Sequence, residues 1–241
     1  KGLVDRGVVR VVTPGTVFED QFLDQLSNNY LVCLRKNEGQ VGLAYVDIST
    51  GEFAVTCVEV NSCETELVRL GASEILVCES DATFVKSLNG YSVKHETDNV
   101  LTVIGDQDFD LTVSHQYVVS EGRLEDLSNN TEVNQVMAEA VLGILIYLDR
   151  THKMMFDHLQ SPIVYKTDDF MVLDQQTRIN LEIFDNYQSS ESQANLFKTL
   201  NYTKTPMGGR LLKKWLGQPL IDCTSITRRL NAVECLVRDI T

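Results

Sequence analysis

The chain has 241 residues, 43% of them apolar and 23% charged, with a formal net charge of −13. That apolar share is well above what a disordered chain carries, and at roughly 100–200 residues per domain the length fits one large domain or two modest ones. No apolar run approaches the roughly 18 residues of a membrane span, and the acidic excess opposes simple polyanion binding.

Residues 1–124 hold 9 Lys+Arg against 19 Asp+Glu, a net of −10; residues 125–241 hold 12 against 15, a net of −3. A change of pattern coincides with this shift, so a domain boundary is expected near 120–130. The chain opens at Lys1 without the charged and apolar regions of a secretory signal, and it stops at Thr241 within a helical pattern. A fragment of a longer protein would look like this. Six cysteines show no C-x-x-C pair and four histidines are scattered, so no zinc signature is present. Cys33, Cys57 and Cys78 lie in apolar runs and read as small buried hydrophobes.

Asn29 to Lys36 reads as a strand that turns at Asn37-Glu38-Gly39-Gln40. The stretch GLAYVDISTGEF, residues 42–53, continues as a second strand, turns at Ser49-Thr50-Gly51 and starts a third. A helix follows over Glu64–Leu70 with Gly71 as its stop. Residues 74–79 (EILVCE) form the compact apolar run of a buried parallel strand. Ser80 or Asp81 can cap a short helix ending at Asn89-Gly90, and Tyr91 to His95 reads as a further strand. Three meandering strands and then α-β-α-β is the element order of a ribonuclease H-like sheet. Between Glu96 and Glu121 the periodicity fades, and Asp106, Asp108 and Asp110 lack the Gly and Glu of a calcium loop. A solvated acidic loop is expected there.

The second half is helical. Val133, Val136, Met137, Ala140, Val141, Ile144, Leu145 and Leu148 make one stripe over Glu132–Arg150. Gly143 inside it costs about 1 kcal/mol against Ala, which points to close helix packing. The run 171–183 (MVLDQQTRINLEI) reads as a short strand, an Asp174 N-cap and a helix. In 203–222 (TKTPMGGRLLKKWLGQPLID), Thr205 is the N-cap, Pro206 occupies the first helical position, and Gly217 and Pro219 end the helix. Met207, Leu211, Leu212, Trp215 and Leu216 are expected on its buried face. Trp215→Ala would then cost roughly 3–5 kcal/mol. Asp222 or Thr224 caps a last helix carrying Ile226, Leu230, Val233, Leu236 and Val237.

These residues resemble the MutS family of DNA mismatch-repair proteins in four segments taken in order: 6–16, 42–53, 171–183 and 203–222 followed by RRLNAVECL at 228–236. Within the fourth and most specific run, 203–222, the motif residues are Thr205, Pro206, Gly208, Arg210, Leu211, Trp215 and Pro219. The resemblance implies a linker over 1–27, a ribonuclease H-like connector over 28–126, and the opening of a helical core or lever domain over 127–241. It implies a part that couples mismatch-bound DNA to a distant ATPase and docks MutL. The family's partners also include a second MutS-type subunit and mismatched duplex DNA, in the cytoplasm.

No Phe-x-Glu mismatch reader and no Walker A pattern occur in this sequence, so no catalytic, DNA-reading, ATP-binding or metal residue carries over. ATP and Mg²⁺ belong to the intact protein, and this chain is read as no enzyme by itself. For MutL the polar stretch with Asp106, Gln107, Asp108 and His115 is a candidate edge. Two other readings stand beside this one: a metal-dependent nuclease using Asp47 with Glu79 or Asp81, and an acidic interaction scaffold. Lys198, Lys204, Arg210, Lys213, Lys214, Arg228 and Arg229 make a local basic stretch, read as the polar sides of amphipathic helices. Because a lever helix is returned to by later sequence, apolar surface is expected to be exposed over 223–241.

Overall fold

The computed structural model describes residues 11–17, 19, 23–88, 100–111, 132–152, 159–184 and 195–239. Three antiparallel strands come first: β1 (Tyr30–Asn37), β2 (Gln40–Asp47) and β3 (Glu52–Glu59). Gly51 closes the second turn with φ 77°, a conformation that a Cβ would strain. Helix α1 (Val60–Leu70) ends on Gly71 in the left-handed region, whose amide donates to the Leu67 carbonyl. Next, β4 (Glu74–Cys78) returns parallel to β1, α2 (Ala82–Ser87) follows, and β5 (Val100–Ile104) lies parallel to β4. With the short β6 (Ile163–Val164) beside β3, the sheet runs β5-β4-β1-β2-β3-β6.

Alternation of side chains sends the strands' apolar residues to both faces. Val32, Leu34, Val41, Leu43, Ile75 and Val77 pack under α1 and α2. Leu31, Cys33, Ala44, Val46, Phe53, Val55 and Leu76 pack under α3 (Gln135–His152), whose Met137, Val141, Ile144 and Leu148 are buried against them. Asn134 caps α3 through its side-chain oxygen, which accepts from the Met137 amide at 3.0 Å. The sheet is therefore covered on both sides, which is why its strands read as nearly continuous apolar runs.

Two glycines let α3 lie this close. A Cβ on Gly42 would stand 2.1 Å from the Val136 carbonyl oxygen, and one on Gly143 would stand 2.7 Å from Cys33 Sγ and 2.8 Å from the Phe109 ring. The sequence-based reason for Gly143, close helix packing, is what the structure contains.

The described chain divides into two compact units: the first runs on to Tyr165 rather than ending at 126, and the second joins Gln25–Ser27 to the chain from Lys166 onward. The helical stripe over 132–150 belongs to the sheet because its apolar face is what the sheet needs for cover. Segment 100–104, placed in the aperiodic stretch from sequence, is a strand, since its VLTVI run pairs residue by residue with β4. Tyr91 to His95, Asn89-Gly90 and the join at 112–131 lie outside the described residues.

The second unit holds α4 (Gln175–Asn180), α5 (Leu196–Leu200), α6 (Pro206–Gly217) and α7 (Cys223–Asp239). Side chains of Asp174, Asn195, Thr205 and Asp222 accept from amides three residues ahead and cap all four. The expected strand at 171–173 is reduced to a single bridge, Phe170 to Leu220. Along α7, Leu230, Val233, Leu236 and Val237 are exposed, as expected for 223–241. Among the described residues no helix is long and apolar enough to cross a membrane.

Substituting Ala at Gly143 should destabilise the chain by about 1–2 kcal/mol in urea denaturation, despite Ala's better helix propensity, because overpacking outweighs it. Gly42→Ala should cost more, since its obstacle is backbone. A gain in stability from either change would show that α3 sits farther from the sheet.

Candidate functional site

The acidic residues that could carry chemistry are turned to structural bonds. Asp47, fully buried, ends β2. Its Oδ1 accepts from the Ser49 amide and hydroxyl at 2.9 and 2.6 Å, and its Oδ2 from Asn28 Nδ2 and the Asn29 amide at 2.9 and 3.2 Å. It braces the β2–β3 turn. Asp81 does not cap α2 as expected. Instead its Oδ2 accepts from the Lys36 amide and from Arg35 Nη1, both at 2.9 Å.

Asp47 is thus bonded to the amide just before β1, and Asp81 to one near the far end of the same strand. Seven residues of strand separate those amides, roughly 20 Å. Two metal ions about 4 Å apart need carboxylates gathered around them. These two are not brought together, and no cluster of three His, Cys, Asp or Glu suited to a metal occurs among the described residues.

The polar stretch proposed as a docking edge splits in two. Residues Asp106–Phe109 form a 3-10 turn rather than a solvated loop. Asp108 is 2% exposed and takes both arms of Arg150 from α3, at 2.6 and 2.5 Å. A carboxylate so held is unavailable to a partner. Phe109 beside it is buried against Gly143. Asp106 and Gln107 remain exposed, with Asp106 Oδ1 accepting from Ser80 Oγ at 3.0 Å. His115 lies outside the described residues.

Three buried polar knots had no clear signal in the sequence. Arg35 donates from Nε to Glu139 on α3 at 2.7 Å and from Nη1 to Asp81, tying β1 to that helix and to the residue before α2. Glu66 accepts from Arg69 and from the Tyr165 hydroxyl at 2.5 Å, fastening the end of the first unit to α1. Glu74, fully buried, accepts four bonds: Thr13 Oγ1 and the Gly15 amide on Oε2 at 2.6 and 3.0 Å, Thr102 Oγ1 and the Tyr147 hydroxyl on Oε1 at 2.6 and 2.7 Å. A lone acid heading an otherwise apolar strand was the only hint of it. Cys33, Cys63 and Cys78 are buried thiols, with burial pushing Cys63 up to about 12 and Cys78 up to about 11. Such groups are poor nucleophiles at neutral pH.

On α6 the motif residues behave as predicted at the helix start. Thr205 Oγ1 accepts from the Gly208 amide at 3.1 Å with Pro206 at the first position, while the Pro219 carbonyl accepts from the Met171 amide at 2.8 Å. Farther along, the buried face differs from expectation. Met207 and Leu211 are 73% and 48% exposed, whereas Gly209 is buried next to Leu26. Lys213 turns inward, donating to Ser27 Oγ at 2.5 Å and lying 5.9 Å from the Phe184 ring centre. Arg210 is half-buried. Trp215 is half-buried too, with the Arg229 guanidinium 4.8 Å above its ring. Two of the basic stretch's charges are therefore occupied by aromatic rings, while Lys198, Lys204, Lys214 and Arg228 are exposed.

Residues 29–160 match MutS domain II, and residues 176–241 match MutS domain III. The chain belongs to the MutS family. It is 37% identical over 97% of its length to the DNA mismatch repair protein MutS of Dehalococcoides mccartyi strain 195. The proteins of the same name from Acetivibrio thermocellus and Geobacillus kaustophilus are 35% and 36% identical over 97% and 98% of it. The chain spans about a quarter of the length of these relatives, 26%, 27% and 25% respectively. The domain II match ends, and the domain III match begins, on either side of the break at 165–166.

Half-burial lowers what Trp215 contributes. Trp215→Ala should cost about 1–2 kcal/mol, made of partial burial and a cation–π contact of about 0.5–1 kcal/mol. A loss above about 3 kcal/mol in urea denaturation would place the ring in the core.

Proposed function

We propose that this chain is the connector and the opening of the core in a MutS-type mismatch repair protein. In this reading it carries conformational change between a mismatch-binding part and an ATP-hydrolysing part, and it offers a docking surface to MutL. The observation that carries it is the agreement of two independent divisions: the domain II and III matches each fall inside one structural unit. The strand order, with an antiparallel β1–β2–β3 meander and then β4 and β5 parallel to β1, supports a ribonuclease H-like label for the first unit. The separation of Asp47 from Asp81 favours an adaptor on that fold over a nuclease.

The chemistry of the whole protein belongs elsewhere in this reading. ATP, Mg²⁺, mismatched duplex and a second MutS-type subunit are engaged by the intact protein in the cytoplasm, and this chain binds no cofactor and catalyses no reaction alone. Asp106 and Gln107 are the accessible part of the docking edge; Asp108 serves the fold.

Immobilised chain should capture MutL, and the double change Asp106→Lys, Gln107→Lys should weaken capture about tenfold, the size of one lost charged contact. Full affinity in that variant would remove these residues from the interface, and no capture by the unaltered chain would remove the docking role. In fluorescence anisotropy with a G·T heteroduplex at about 50 mM salt, where counterion release favours binding most, the chain should show no micromolar affinity. Micromolar binding would make the exposed lysines of the second unit a DNA surface.

A further inference from the structure

The segment ahead of the sheet is fastened by one backbone bond and several side-chain bonds rather than by a strand ladder. The Val11 amide donates to the Thr151 carbonyl in the last turn of α3 at 3.0 Å. Asn29 Nδ2 donates to the Pro14 and Val17 carbonyls at 2.8 and 3.2 Å. Between these attachments, the 3-10 turn Pro14–Thr16 sits on Glu74. A Cβ on Gly15 would stand 2.8 Å from Glu74 Cβ and 2.9 Å from Leu31 Cδ1, so only glycine allows this approach. Outside the contact, Val11 and Val12 are 45% and 50% exposed.

Glu74 is two-sided. Its Oε2 serves the leading segment through Thr13 and Gly15; its Oε1 serves the fold through Thr102 on β5 and Tyr147 on α3. The turn also holds itself together: Thr16 Oγ1 accepts from the Thr13 amide at 2.9 Å, and the Thr16 amide donates to the Thr13 carbonyl at the same distance. Undocking would therefore break the Oε2 bonds and the Val11 and Asn29 attachments, while the turn and the Oε1 bonds stay intact.

We propose that residues 11–17 form a releasable strap and that Glu74 is the positioning residue that couples it to α3 and β5. A displacement of the chain ahead of Val11 then reaches α3 at two places, Tyr147 through Glu74 and Thr151 through Val11. This deepens, and rests on, the reading of the chain as a transmitting part, giving the path by which displacement enters the first unit. Geometry also distinguishes the variants. The Gly15 amide can only donate, so it needs an oxygen, whereas the Thr102 and Tyr147 hydroxyls can accept. Glu74→Gln can satisfy both sides with its oxygen toward Gly15 and its nitrogen toward the hydroxyls. Glu74→Leu satisfies neither.

Hydrogen exchange followed by mass spectrometry on the full 241-residue chain tests this. In Gly15→Ala, whose sheet residues are unaltered, amides over 11–17 and in the last turn of α3 should exchange about tenfold faster or more, with β1 and β2 unchanged. Glu74→Leu should do the same, and Glu74→Gln should restore near-normal protection. Unchanged protection at 11–17 in Gly15→Ala would overturn the strap. So would faster exchange spread through β1 and β2, because the segment would then be inseparable from the fold. Loosening of 11–17 with α3 unaffected, or a Gln variant as loose as Leu, would overturn the coupling role of Glu74. None of these readouts involves MutL, so failure of the docking role and failure of the strap are seen separately.

Discussion

The close approach of α3 to β1 and β2 is the constraint on which the first unit depends. Backbone meets backbone at Gly42 and Val136, and the helix rests on Cys33 and Phe109 at Gly143. Only with α3 in place is the face formed by Leu31, Val46, Phe53 and Leu76 removed from water. Arg35 and Asp108 then fix the helix in register, the first through Glu139 and the second through Arg150. Paired groups of this kind add little net stability, but each would be costly with its partner removed. They specify where the helix sits more than they hold it there.

The same helix explains how a strongly acidic chain uses its buried carboxylates. Asp47 braces a turn, Asp81 and Glu139 share one guanidinium, and Glu74 joins the leading segment to β5 and α3. Each of these carboxylates accepts from donors of the protein itself. The arrangement suits a part that keeps its shape while segments at its ends are moved, consistent with the proposed transmitting role.

Local features were legible in the sequence because their causes are local. Gly71 ends α1, Asp174, Thr205 and Asp222 cap their helices, and Gly51 closes a turn, each set by one residue and its near neighbours. The family resemblance was likewise carried by short runs. What escaped was decided across long separations. The stripe over 132–150 shows a helix with one apolar face but not which surface it covers, so the sequence pattern alone does not locate the break at 165–166. Likewise β5 exists because β4 offers it a partner edge, and Asp108 turns inward because Arg150, 42 residues later, meets it. On α6, the inward face is rotated toward Gly209 and Lys213 because Leu26 and Ser27 lie there.

Helix α3 is part of the sheet's own folding unit, and this unit ends at Tyr165. This is tested by comparing two shortened chains, residues 11–165 and residues 11–126, in urea denaturation followed by circular dichroism. The longer chain should unfold in one cooperative transition, because both faces of its sheet are covered. The shorter one, with Leu31, Phe53 and Leu76 uncovered, should show no cooperative transition. A cooperative transition of comparable midpoint in residues 11–126 would show that the sheet folds without α3 and would return the boundary to 126–127.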